Sequence, residues 1–113
     1  MLAENTQTQM RKGILEYCIL SIIARGEIYA SDIIEELKAG RLLVVEGTLY
    51  PLLTRLKNNG ILSYNWKEST SGPPRKYYQL SAEGEELLKK LDETWQDLAY
   101  AVERTVNQRE KNK

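Results

Sequence analysis

Leu15, Cys18, Ile19, Ile22 and Ile23 recur at helical spacing and predict a first helix over about residues 9–24, stopped by Arg25-Gly26. Its strongly apolar face marks it as central to the core. Ile33, Ile34 and Leu37 form one face of a second helix over about residues 30–38, with Glu35, Glu36 and Lys38 opposite and Gly40 at its end. Ser31 and Asp32 fall in the entry turn, where short oxygen-bearing side chains and negative charge suit free N–H groups. The β-branched run from Leu42 to Val45 reads as a strand stub or a buried connector.

A third helix is predicted over about residues 47–59, with Leu49, Leu52, Leu53 and Leu56 facing inward. Pro51 fixes its start. A proline has no N–H, and the first turn of a helix leaves those groups unpaired, so the helix should begin within about four residues before it. Asn58-Asn59-Gly60-Ile61 reads as a Schellman stop, with Gly60 left-handed and Ile61 folding back on the core.

The period then changes from helical to alternating. Leu62, Tyr64 and Trp66 alternate with Ser63, Asn65 and Lys67, which predicts a half-buried strand over 61–67. A polar turn containing Gly72-Pro73-Pro74 follows, and a second strand is expected from Arg75 to Leu80, because prolines cannot donate to a ladder. In that strand Tyr78 should face inward with Leu80, and Tyr77 outward. Ser81 is a suitable N-cap for a fourth helix running to about Asn107, with Glu83, Glu85 and Glu86 in its first turn. Leu88, Leu91, Trp95, Leu98 and Val102 are spaced 3-4-3-4, the seam of a coiled coil. A helix of about 25 residues is about 38 Å long, more than a small head can cover, so the seam needs a partner, and a second copy is the simplest one.

The expected fold class is therefore mainly α with a small β-hairpin: a winged helix-turn-helix head and a long C-terminal dimerisation helix. Residues 1–80 form the head, whose N-terminal helix also packs at the dimer interface. Residues 81–107 form the dimerisation helix and 108–113 a frayed tail.

Composition narrows the chemistry. The chain has no histidine, which removes Ser-His-Asp and Cys-His nucleophile systems and every His-based metal site. Carboxylates such as Asp92 and Glu93 are scattered on a helix surface and offer no acid–base pair, so no catalytic residue, metal ligand or cofactor is expected. Cys18 lies in an apolar run and reads as a small buried hydrophobe, its lack of a disulfide partner suiting a reducing cytoplasm. No run of about 18 apolar residues offers a bilayer span. Formal net charge is zero, but charge is segregated. Residues 48–81 hold five cations (Arg55, Lys57, Lys67, Arg75, Lys76) against Glu68 alone, while residues 82–103 hold two lysines against seven acids. One end can face phosphate and the other cannot.

Double-stranded DNA is accordingly the expected partner. Arg55 and Lys57 lie on the third helix, and Thr54 joins its outward positions. Thr48 and Tyr50 sit at its N-terminal end, the end that meets bases in helix-turn-helix proteins. Lys67, Arg75 and Lys76 flank a wing tip stiffened by prolines, with Tyr77 able to reach a phosphate. The alternative is a dimeric module whose winged head binds protein.

Gly47-Thr48-Leu49-Tyr50-Pro51-Leu52-Leu53, Arg55-Leu56, Asn59-Gly60-Ile61-Leu62, Gly72 through Ser81 and Gly84 together resemble the PadR family of bacterial transcriptional regulators. The single C-terminal helix resembles its short subfamily, whose members include multidrug-responsive repressors. The chain departs from the family's frequent Tyr-Gly-Tyr-Glu-Ile with Tyr29-Ala30-Ser31-Asp32-Ile33. The resemblance implies a homodimer that represses nearby genes from a pseudo-palindromic operator. It also implies that Trp95 can stack on a planar hydrophobic effector between subunits, with Tyr17, Leu91 and Asp92 as candidate lining.

Overall fold

The computed structural model describes residues 1–70 and 72–111, with no account of the side chains of residues 110 and 111. The order of elements is α1 (Leu2–Ile23), β1 (Ile28–Tyr29), α2 (Ala30–Ala39), α3 (Glu46–Asn58), β2 (Leu62–Ser69), β3 (Gly72–Leu80) and α4 (Ala82–Lys111). The fold is mainly helical with a small antiparallel sheet, as the periodicities predict. The core gathers Ile19, Leu20, Ile22 and Ile23 of α1, Ile33 and Leu37 of α2, Leu49, Leu53 and Leu56 of α3, and Leu62 and Tyr78 of the hairpin. Cys18 and Leu52 pack on its rim, half-buried rather than enclosed.

Several boundaries differ from the sequence reading. α1 starts at Leu2, not near Gln9. Its first turns are exposed and carry no apolar stripe, so periodicity could not reveal them. Instead Thr6 and Thr8 donate to the carbonyls of Leu2 and Glu4 one turn back, at 3.0 and 2.9 Å. α3 starts at Glu46, five positions before Pro51, so the proline falls just past the first turn and leaves the Gly47 carbonyl without its helical donor. The run 42–45 forms no strand. Leu42 and Val44 pack on the core while Leu43 and Val45 stay exposed.

The sheet has three strands in the order β1-β3-β2, and β1 was not foreseen because two residues carry no alternation. β3 starts at Gly72 rather than Arg75, with Pro73 and Pro74 inside it. Lys67 pairs with Arg75 and Ser69 with Gly72, so β3 spends one residue more than β2 over that interval. The prolines occupy this bulge, where a missing N–H removes no regular ladder bond.

Three chain segments meet where α3 ends. Gly60 is left-handed at φ 79°, its N–H bonds to the Lys57 carbonyl at 3.0 Å, and the Ile61 N–H bonds to the Leu56 carbonyl at 2.9 Å. This is the predicted Schellman pattern. The Ser81 N–H then donates to the Ile61 carbonyl, and its hydroxyl reaches the Gly60 and Ile61 carbonyls. The same hydroxyl accepts the Gly84 N–H at 3.0 Å, capping α4. From this joint α4 runs for 30 residues, about 45 Å, and stretches the molecule to 59 Å. Residues 108–111 continue the helix where fraying was expected, and residues 112 and 113 lie outside the described residues. Beyond Leu91, Trp95, Leu98 and Val102 are 42%, 53% and 59% exposed on the bare rod. Among the described residues, no helix is long and apolar enough to cross a membrane.

Candidate nucleic-acid interface

The pleat of the hairpin sorts its side chains onto two faces. Tyr64 and Trp66 point to one, opposite Tyr78 and Lys76 on β3, while Asn65 and Lys67 point to the other, opposite Tyr77 and Arg75. The first face meets α3. Lys57 lies 5.7 Å from the Tyr64 ring centre. Lys76 lies 4.6 Å from the same ring and 5.4 Å from that of Trp66. Tyr50 comes from the first half of α3 and lines one cleft with Tyr78. Burial above all, with the neighbouring Tyr50 and Tyr64, raises the Tyr78 pKa. Helical spacing puts Tyr50, Thr54 and Lys57 on one stripe.

A cleft of about 420 Å³ opens between this stripe, the start of α2 and the wing. Tyr50, Arg75 and Lys76 line it, as foreseen for DNA contact. Tyr29, Ser31 and Trp66 line it too, and the sequence reading passed over them for this role. Trp66 could have been found by register: it sits opposite Lys76 once the hairpin is aligned from its turn. Arg75 reaches across the sheet to lie 4.6 Å from the Tyr29 ring centre.

The other predicted residues are placed elsewhere. Arg55 turns to α1, where it pairs with Glu16 at 2.9 Å. With Thr48 it lines a broad groove between α1, the 43–45 connector and α3, on the side away from the wing. Lys67 lies on the second face of the hairpin, paired with Glu27 at 3.0 Å and 5.1 Å from the Tyr77 ring centre. Tyr77 is held edge-on to Tyr29 at 5.3 Å. Lys67 and Lys76 therefore do not converge, because their β-positions differ in parity across the pair.

At the junction of α1 and α4, three of the four residues proposed for effector contact, Tyr17, Asp92 and Trp95, come together. Tyr17 of α1 donates to the Asp92 carboxylate at 2.5 Å, and its ring centre is 6.4 Å from that of Trp95. Leu91 packs on the core. The hydrogen bond to Asp92, aided by burial and by the carboxylate charge, pushes the Tyr17 pKa up to about 12.

A helix-turn-helix whose last helix stands beside a two-stranded finger, with cations and aromatic rings on their shared face, defines the winged-helix class of DNA-binding domain. Within that class the chain belongs to the PadR-like family of transcriptional regulators. The model of the "Transcriptional regulator PadR-like family" matches residues 19–90. The chain is 58% identical to a PadR-like transcription factor from Bacteroides fragilis, over 88% of this chain and 97% of that one, with a TM-score of 0.75. A PadR-like transcriptional regulator from Bacillus cereus is 36% identical, with coverages of 87% and 96% and a TM-score of 0.78. A PadR family regulator from Eggerthella lenta is 28% identical, with coverages of 93% and 92% and a TM-score of 0.81. The protein is thus a DNA-binding transcription regulator by family.

Proposed function

We propose that the protein is a homodimeric repressor that binds a pseudo-palindromic operator. One observation carries the reading: Tyr50 and Lys57 of α3 and Lys76 of the wing gather on a common side, with Arg75 at the edge of the cleft between them, while α4 leaves an apolar stripe bare along a rod. The cations supply sequence-independent attraction to phosphate. The N-terminal half of α3 supplies the side chains that read base edges. Two copies joined along Trp95, Leu98 and Val102 would present two such heads to half-sites about one helical turn apart. A planar hydrophobic molecule stacked on Trp95, beside Tyr17, Leu91 and Asp92, would act where α4 meets α1 and relieve repression from there.

The test is selection of bound fragments from random duplex DNA, followed by titration of the selected site against salt. A dimer neutralising about six to ten phosphates should lose affinity steeply as salt rises. Recovery of no preferred sequence, with no affinity for duplex DNA at low salt, would favour the protein-binding module instead.

A further inference from the structure

Trp66 is the most conspicuous side chain that the DNA reading leaves unused. It is 61% exposed, although a tryptophan offers one of the largest apolar surfaces a residue can hide. Its ring meets Tyr64 edge-on, at 6.2 Å between ring centres, and the Lys76 ammonium lies 5.4 Å from its own centre. It lines the cleft between α3 and the wing, as does Tyr50.

The placement of that cleft determines what can enter it. A helix seated in the major groove and a finger reaching the next groove must straddle one sugar-phosphate strand, because a single backbone separates adjacent grooves. α3 and the wing are those two elements, and the cleft is the space between them. A nucleotide backbone unit is amphiphilic: its phosphate is anionic and its deoxyribose presents an apolar edge. The cleft has the complementary pair of surfaces. Lys76 and Arg75 border it with positive charge, and Trp66 and Tyr50 offer flat apolar walls.

We infer that Trp66 is a DNA-contacting residue whose ring packs on the deoxyribose of the strand crossing the cleft, while Lys76, stacked beside it, takes the adjoining phosphate. The inference rests on the DNA reading above. It adds an apolar contact that is blind to base identity and independent of salt, next to an ionic contact that is not.

The experiment compares wild type with Trp66→Ala, Trp66→Phe and Lys76→Gln on the selected duplex over a range of salt. Trp66→Ala should bind about tenfold more weakly at every salt concentration, the loss from leaving one ring's worth of apolar contact unmade, with the slope of log affinity against log salt unchanged. Trp66→Phe should recover most of the affinity. Lys76→Gln should lower both affinity and slope, the slope by about one. Acrylamide quenching of wild-type tryptophan emission should fall when duplex is added, and that protection should vanish in Trp66→Phe, which keeps Trp95. Wild-type affinity in Trp66→Ala, or equal protection in Trp66→Phe, would overturn the assignment while leaving DNA binding in place. Dissociation of the Trp66→Ala protein into single chains would overturn it as well, by making Trp66 part of the contact between copies. Binding of no duplex by wild type would overturn the DNA reading and this assignment together.

Discussion

Gly84 in the first turn of α4 rests directly on Ile61, so closely that a Cβ on Gly84 would collide with the Ile61 carbonyl oxygen. Replacing a helical glycine by alanine ordinarily gains about 0.5–1 kcal/mol in chain entropy. Here the atom in the way is backbone and cannot rotate aside, and such overpacking costs about 1–3 kcal/mol. The cost should win. Gly84→Ala is expected to lower stability by about 1 kcal/mol or more, read as a reduced unfolding midpoint in urea. A raised midpoint would mean that α4 can lift off the head without penalty.

Ser81→Ala tests the other side of the same joint. The hydroxyl accepts the Gly84 N–H and bonds to carbonyls at the end of α3. Its loss should cost about 1–2 kcal/mol, the upper part of the range for helix caps, because partners on two elements are left unsatisfied. Thermal unfolding measures it, and Ser81→Thr or Ser81→Asp should restore part of the loss.

Leu98→Glu separates folding from assembly. Leu98 is half exposed on the single chain, so the head has no stake in it. Sedimentation should show dimers for wild type and single chains for the variant, with the circular dichroism of the head region and its core packing intact. An unchanged dimer would move the contact between copies off the α4 seam.

Lys57→Ala and Arg55→Ala should behave differently, although the residues are two apart on one helix. Lys57 faces the wing, whereas Arg55 is engaged by Glu16 on the opposite side. Lys57→Ala should weaken binding across all duplex sequences and reduce the salt slope by about one. Arg55→Ala should leave the slope nearly unchanged, and its ion pair, open to solvent, should contribute little to stability. Equal slopes lost in both variants would show that Arg55 leaves Glu16 for phosphate.

Tyr17 should titrate late. Its folded pKa of about 12 stands above the ordinary value of 10, because the neutral phenol donates to Asp92. A folded pKa raised in this way contributes stability in full below pH 10, and that contribution disappears as pH rises through about 12. In ultraviolet titration, the wild-type spectrum minus that of Tyr17→Phe should show one phenol ionising near the upper value. A difference spectrum centred on the ordinary tyrosine value would mean that the contact with Asp92 does not persist in solution.

Much of this architecture is legible in the chain because burial writes a period. The leucines of α3, the Asn59-Gly60-Ile61 stop and the alternation at Leu62 and Tyr64 each have one physical reading, and the structure follows them, whereas Trp66 keeps the alternation but is left exposed. The failures share a cause. The first turns of α1 bury almost nothing and residues 108 and 109 of α4 are exposed, so no spacing records them. β1 is fixed by its partner β3, a long-range pairing with no local signature. The site was half legible. That residues 48–76 hold five cations against Glu68 alone is a matter of counting, but which way each one points is set by phase. A two-residue offset on α3 sends Arg55 to α1 and Lys57 to the wing. A single step of register separates Lys67 from Lys76.

The junction at Gly60, Ile61 and Ser81 is cross-tied by hydrogen bonds. The stop of the reading helix, the exit of the finger and the root of the rod share their donors and acceptors, so a turn of one breaks bonds held by the others. Whatever grips the rod also aims the head.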